Sequence, residues 1–312
     1  MKLGTVWSGR LPKYWDVTPW AALVSNHVIS CYRDQISNRR MLEVFNINSS
    51  EKITSETLYS SIIGNIDHIV FLARIADARS HLQLNRMGAY DILKSKFIWE
   101  INETFLVEKF RIPDINLFTE EMYVLGNKQV NLITGTVKEY KILTKNMWVI
   151  DSDLTLMQNS KQLECIDRSG NKIWAKENLF GNQYQGVIGE EIIFLIDNHI
   201  KYFYKWTGVQ KDETELSGMR KITSRILGQF DRRNDLSYDN STVADVLVND
   251  SFIAWINERG SIMIKDKSTK NIFTKDIMGQ NLYLAGINNK YLLIYEIQED
   301  DFGNLLIADM GV

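Results

Sequence analysis

Apolar residues in this chain come in short runs broken by polar clusters, and long stretches of helical periodicity are almost absent. One unit recurs: a short polar turn leading at once into an apolar strand. Val248-Asn249-Asp250-Ser251-Phe252-Ile253-Ala254 matches Ile101-Asn102-Glu103-Thr104-Phe105-Leu106-Val107 almost position by position. Further copies are Ile287-Asn288-Asn289-Lys290-Tyr291-Leu292-Leu293, Val24-Ser25-Asn26-His27-Val28-Ile29-Ser30 and Ile188-Gly189-Glu190-Glu191-Ile192-Ile193-Phe194. Weaker ones begin at Asn65 and Ile150. The third positions fall at 26, 67, 103, 152, 190, 250 and 289. Their spacing is about 36–49 residues with one gap of about 60, the period of a structural repeat.

The residues after each anchor extend the unit. Behind Ser251–Ile256 come the turn Asn257-Glu258-Arg259-Gly260, a strand Ser261–Lys265, the turn Asp266–Lys270 and a fourth strand from Asn271. Leu163–Asp167, the turn Arg168–Asn171 and Lys172-Ile173-Trp174 repeat the second half, as do Leu42–Asn46, Ile47–Glu51 and Lys52-Ile53. Short strands with turns at fixed offsets describe a four-stranded meander. One such sheet cannot bury both faces, whereas radial packing buries them. The expected fold is therefore all-β: a single domain over 1–312, a seven-bladed β-propeller of four-stranded antiparallel blades, with an inter-blade insertion at about 212–245. Leu3–Trp7 is expected to pair with Leu305–Ala308 and close the ring, removing exposed edges. Six or eight blades, or a β-sandwich, are the competing arrangements.

Asp167-Arg168-Ser169-Gly170-Asn171-Lys172-Ile173-Trp174 resembles the blade hairpin of quinoprotein-like (PQQ-type) and WD40-like propellers. In that family an aspartate, a Ser/Thr-Gly turn and a tryptophan end each blade. Ile53 and Phe273 stand where other blades would carry the tryptophan. The resemblance implies the propeller architecture for nearly the whole chain.

Composition narrows the function. Of 312 residues 45% are hydrophobic and 24% charged, which suits a folded soluble domain. The net charge of −3 offers no global field for nucleic acid. The first ten residues lack the apolar core of a secretion signal, and no apolar run approaches the roughly 18 residues of a membrane span. A cytoplasmic, monomeric protein without membrane contact is expected. Cys31 and Cys165 fit no metal or redox spacing and read as buried thiols. The sequons at Asn48, Asn102, Asn240 and Asn249 carry no weight without secretion.

Candidate chemistry is sparse. His27 and His68 share a repeat position that elsewhere accepts Thr104, Asp153, Glu191, Ser251 or Lys290, which marks a surface turn. His81 and His199 fall at strand-joining turns, and no zinc-type spacing exists. The anchor acids Asp67, Glu103, Asp151, Glu190 and Asp250 stand singly, and Glu299-Asp300-Asp301 lacks the alternation of a calcium loop. Phosphate-cradling glycine motifs and the serine-hydrolase elbow are missing. No metal, cofactor or catalytic residue is expected.

Arginine gives the most suggestive pattern. If each anchor turn joins the first two strands of a blade, the next turn and the inter-blade connections lie on the opposite face. Arg33, Arg39, Arg40, Arg74 and Arg79 fall on or next to that face in the first two blades. Arg220, Lys221, Arg225, Arg232 and Arg233 fall in the insertion. Arginine gathers at interfaces because its planar fork bonds carboxylates in pairs. Trp7, Trp15, Trp20 and Tyr14 are expected to pack at the closure, the competing role being a sugar- or partner-binding platform. The expected function is a non-catalytic protein-binding platform, in its narrower form a bacterial immunity protein covering the active site of a toxin domain. The alternative is a quinoprotein-like or sugar-acting propeller enzyme.

Overall fold

The computed structural model describes residues 3–12, 20–77, 81–108, 114–116, 121–124, 126–143, 146–159, 162–180, 184–220, 246–276, 281–298 and 302–311. Strand β1 (Leu3–Arg10) opens the chain. Blade 1 is β2 (Ala21–Val24), β3 (His27–Arg33), β4 (Arg40–Asn46) and β5 (Lys52–Glu56). Blade 2 is β6 (Ser61–Ile66), β7 (Ile69–Asp77), β8 (His81–Asp91) and β9 (Lys96–Ile101), with β10 (Phe105–Glu108) added to β8. Blade 3 is β11 (Asp114–Asn116), β12 (Glu121–Val124), β13 (Gly126–Asn131) and β14 (Val137–Leu143). Blade 4 is β15 (Met147–Val149), β16 (Leu154–Gln158), β17 (Gln162–Asp167) and β18 (Lys172–Glu177). Blade 5 is β19 (Tyr184–Ile188), β20 (Glu191–Ile196), β21 (His199–Tyr204) and β22 (Gln210–Glu215). Blade 6 is β23 (Val246–Val248), β24 (Phe252–Ile256), β25 (Ile262–Asp266) and β26 (Ile272–Lys275). Blade 7 is β27 (Leu282–Ile287), β28 (Tyr291–Ile297) and β29 (Phe302–Asp309), completed by β1.

Every pairing is antiparallel, so the chain builds a seven-bladed β-propeller closed by its own first strand. Leu3 pairs with Ala308, Gly4 with Ile307 and Trp7 with Leu305, the pairing the sequence led us to expect. First strands of neighbouring blades touch, β2 meeting both β6 and β27, and β23 meeting β27. Fourth strands such as β5 are exposed along their length. Where β27 meets β2, a small residue makes room. Gly64, Gly186 and Gly286 occupy equivalent bulged positions in β6, β19 and β27. A Cβ on Gly286 would lie 3.2 Å from the Cβ of Leu23 in the next blade.

The core is a set of apolar seams, one between each pair of neighbouring blades. In β24, Phe252, Ala254 and Ile256 pack toward blade 7 while Ile253 and Trp255 pack toward blade 5. In β28, Leu292 and Ile294 face blade 6 while Tyr291, Leu293 and Tyr295 face blade 1. Period-two alternation thus serves two neighbours at once. Seams join blades 1 and 2, 2 and 3, 3 and 4, 4 and 5, and 5 and 6 in the same way. The 7–1 seam holds Trp7 and Trp20, whose rings meet edge-on at 4.8 Å, and Trp20 stacks on Tyr295 at 5.4 Å. That is the closure packing expected of Trp7 and Trp20; Tyr14 and Trp15 lie outside the described residues.

Three expectations need correction. Phe105 is buried, but its anchor copy leads into β10, which pairs with β8, rather than into the second strand of blade 3. Leu154, Ile192, Phe252 and Tyr291 do stand in second strands. Ile192 nonetheless faces the preceding blade, whereas Leu154, Phe252 and Tyr291 face the following one. The cause is hairpin length. Ile188 pairs directly with Glu191 around Gly189-Glu190, while Asn249 itself bonds Phe252 around Asp250-Ser251. One residue of register reverses the buried face. The stretch expected as an insertion begins inside β22, so residues 212–215 belong to blade 5.

The hairpins between third and fourth strands explain the strongest local repeats. Asn46, Asp91, Asn131 and Asp266 each accept, on a side-chain oxygen, backbone N–H groups two and three residues on. A residue at positive φ closes each turn: Ser50, Ser95, Gly135, Gly170, Gly208 and Lys270. Only Gly135 and Gly208 need glycine for space. Trp99 of blade 2 lies beneath Gly135 of blade 3, and its Nε1 donates to Leu132 O at 2.8 Å. Trp174 of blade 4 lies beneath Gly208 of blade 5, and its Nε1 donates to Lys205 O at 2.8 Å. Each indole docks one blade on the next.

These contacts give two expected outcomes. Gly170 and Gly208 share positive φ, at 84° and 63°, but a Cβ on Gly170 meets nothing within 4 Å whereas one on Gly208 would lie 2.7 Å from Trp174. Gly170→Ala should cost about 1–2 kcal/mol for its backbone alone, and Gly208→Ala a further roughly 1–3 kcal/mol for overpacking, read by denaturant melts. Equal losses would show that the indole does not depend on the glycine. Cys31 and Cys165 are fully buried, and burial pushes both thiols up to about 12. Neither should react with a thiol reagent at neutral pH until the chain unfolds; fast labelling of the native protein would contradict the seams that hold them.

Candidate functional site

Antiparallel order fixes two faces. One carries the turns between first and second and between third and fourth strands. The other carries the turns between second and third strands and the connections between blades. The first face is knitted together by its own polar groups. Lys205, in the β21–β22 turn, donates to Asp151 at 2.7 Å and pairs with Glu190 at 3.0 Å, joining turns of blades 4 and 5. Lys267 donates to Asn249 O at 3.0 Å and lies 5.0 Å above the Tyr202 ring. Burial lowers its pKa. The acidic anchors Asp151 and Glu190 are thus taken by Lys205; Glu103, which follows β9 on the other face, pairs with Lys128.

The histidines are dispersed. His27 Nε2 lies 3.2 Å from Asn46 Nδ2, and burial lowers its pKa. His68 lies 3.7 Å from Asp91, and His199 lies 3.6 Å from Glu213. Among the described residues no group of three or more His, Cys, Asp or Glu could hold a metal ion. Glu299, Asp300 and Asp301 lie outside the described residues.

The second face is different, and alternation explains why. In β3, Ile29 and Cys31 face blade 2, so Arg33 at the strand's end points the same way. In β4, Leu42 and Val44 face blade 2, and so does Arg40, which pairs with Arg33 across the hairpin. In β7, Val70 and Leu72 face blade 1, and Arg74 continues that row. Arg86 stands opposite Arg74 in β8. Four arginines from two blades therefore crown one end of the 1–2 seam. Arg40 is half-buried, and this burial, then the charges of Arg74 and Arg33, lowers its pKa. Among the described residues none of the four has an ion-pair partner; Arg33 Nε donates to Asn38 O at 3.1 Å.

Three acids of the described rim have other partners. Asp34 Oδ2 accepts from both Ser37 N and Ser37 Oγ at 2.7 Å, which holds its carboxyl below the ordinary range. Glu56 pairs with Arg39. Glu100 accepts the Tyr59 hydroxyl at 2.7 Å. Ile36, at the tip of the β3–β4 turn, is 97% exposed, and Leu58 is 50% exposed. Thr57 N donates to Arg40 O at 2.9 Å, so Leu58 follows the residue that pairs with Arg40.

Of the arginines singled out from the sequence, Arg33, Arg40 and Arg74 come together. Arg39 is tied to Glu56. Arg220 belongs to another seam: its Nη2 donates to Leu282 O at 2.8 Å and its guanidinium lies 5.2 Å over the Tyr283 ring. Arg79, Lys221, Arg225, Arg232 and Arg233 lie outside the described residues. Sequence reasoning missed Arg86. Its only signal is its place opposite Arg74, which depends on the register of a long hairpin with a bulge.

No family model matches the sequence, and no curated protein matches it. Solved structures do. The β-propeller domain of Cps50 (Swd1) from Myceliophteria thermophila aligns over 98% of this chain and 99% of its own, at 10% identity and a TM-score of 0.51. BamB from Moraxella catarrhalis aligns over 98% and 99% at 11% identity, with a TM-score of 0.39. At 10% identity the likeness to the Cps50 domain speaks to architecture alone, and with the seven sheets and their closing strand it makes the chain a β-propeller by fold.

Proposed function

We propose that this chain is a non-catalytic docking platform that binds a protein partner through the face bearing the second-to-third-strand turns, centred on blades 1 and 2. The observation that carries this reading is the group Arg33, Arg40, Arg74 and Arg86: like charges from two blades, without ion-pair partners among the described residues. Such a grouping disfavours the folded state, and a binding partner offsets it. Exposed Ile36 and Leu58 add apolar contact beside the charges, the mixture typical of an interface. Loops on a rigid scaffold can carry binding without disturbing the core. Strand β22 ends and β23 begins on the same face, and the proposal extends to Lys221, Arg225, Arg232 and Arg233 in the sequence between them. The narrower form of the proposal makes the partner a toxin domain whose active site this face covers.

Capture of the partner from the native host, with binding measured against variants, tests the reading. Arg33→Glu with Arg74→Glu should abolish or greatly weaken binding and flatten its salt dependence; Arg232→Glu with Arg233→Glu should weaken it less. Lys270→Glu, on the other face, should leave it unchanged. Loss with Lys270→Glu and retention with the arginine pair would mean that the partner sits on the opposite face. Stability supplies a separate readout. Arg40→Met should keep or raise the unfolding free energy, by about 0.5–1 kcal/mol at low salt and less at high salt. A marked loss would mean that Arg40 serves the fold instead.

A further inference from the structure

We infer that the arginine crown of the 1–2 seam is a receptor for adjacent carboxylates, taking an acidic peptide segment that also carries an aliphatic side chain. This rests on the docking-face reading and names the chemistry of the partner.

The anion is implied by the surroundings of the four guanidiniums. Three rows of the same seam, in β3, β4 and β7, end in Arg33, Arg40 and Arg74, and the β7–β8 register adds Arg86. The seam beneath them is apolar, lined by Ile29, Cys31, Leu42 and Leu72. Among the side chains described, no carboxylate pairs with any of the four; of the nearby acids Asp34 caps its turn, Glu56 pairs with Arg39 and Glu100 accepts from Tyr59. Guanidinium forks donate in pairs to the oxygens of carboxylates and phosphates alike.

The flanks decide between those anions. Ile36 stands between Arg33 and Arg40 in the same hairpin, almost wholly in solvent, and Leu58 comes after the residue bonded to Arg40 O. Aliphatic groups in that position add contact to a protein segment and nothing to inorganic phosphate. A nucleic-acid strand would draw on exposed aromatic rings and a broad positive field. Among the described residues, the exposed apolar side chains of blade 1 next to these arginines, Ile36 and Leu58, are aliphatic, and the net charge is −3. Carboxylates spaced along a chain can reach guanidiniums of both blades while an aliphatic side chain between them covers Ile36 or Leu58.

The probe is a fluorescein-labelled peptide of glutamates with two central leucines, read by anisotropy on the intact chain. It should bind in a salt-sensitive way. Arg40→Gln with Arg74→Gln should weaken it by about tenfold or more. Ile36→Ser should weaken it a few-fold, and should not affect a peptide whose leucines are replaced by glycine. Should the first pair fail to fold, Arg33→Gln with Arg86→Gln serves instead, and Lys270→Gln is the control. Unchanged binding by a folded arginine pair would overturn the inference, as would tighter binding of inorganic phosphate or an oligothymidine than of the peptide. If the captured partner needs Arg40 and Arg74 yet the peptide neither binds nor competes, the carboxylate receptor fails while the docking face stands. If the partner ignores these arginines, the docking face fails first.

Discussion

Everything in this molecule depends on blades that are apolar on both faces. A lone four-stranded sheet with Phe252, Ala254 and Ile256 on one side and Ile253 and Trp255 on the other cannot be stable in water. Each blade therefore needs two neighbours, and a row of such blades always leaves two faces bare. Only a ring leaves none. The 7–1 seam, where β1 completes the last blade, turns a row into a ring.

The polar groups conform to that apolar plan. Turn carboxylates and carboxamides satisfy the backbone of the third hairpin, and Trp99 and Trp174 reach across to carbonyls of the next blade. Lys205 binds carboxylates of two blades while nearly excluded from water, an arrangement tolerable because its charge is paired. On one face of the ring, basic side chains thus pair with carboxylates of the chain's own turns. At the opposite end of the 1–2 seam the same alternation brings four like charges together and leaves them to something outside the fold.

Much of this was legible in the sequence. Turn chemistry is local, so the repeats around Asn46, Asp167 and Asp266 announced blades 1, 4 and 6, and Leu3–Trp7 found its pairing with Leu305–Ala308. Local chemistry does not say which sheet a strand joins, which is why the turn before Phe105 imitated a blade that lies further along. Nor does residue type fix hairpin length, so Ile192 was aligned with Phe252 though it faces the other way. Trp99 escaped notice as the partner of Trp174 because the turn after Asp91 is longer than that after Asp167. For the candidate site, Arg33, Arg40 and Arg74 could be placed by face alone. Arg86 could not, and the engagement of Arg39 by Glu56 and of Arg220 by Leu282 depends on contacts that no pattern encodes.

The strand that closes the ring also sets the order in which the ring can form. All pairings within blades 1, 4, 5 and 6 are hairpins between neighbouring segments, and these close quickly because little chain entropy is lost. The pairing of Leu3–Arg10 with Phe302–Asp309 spans almost the whole chain and has the highest contact order in the molecule. It is the last contact available during synthesis from the N-terminus. Until it forms, Trp7, Trp20 and Tyr295 remain an open aromatic surface, so the cluster that fastens the finished ring is also the surface most exposed to misassociation while the chain is incomplete.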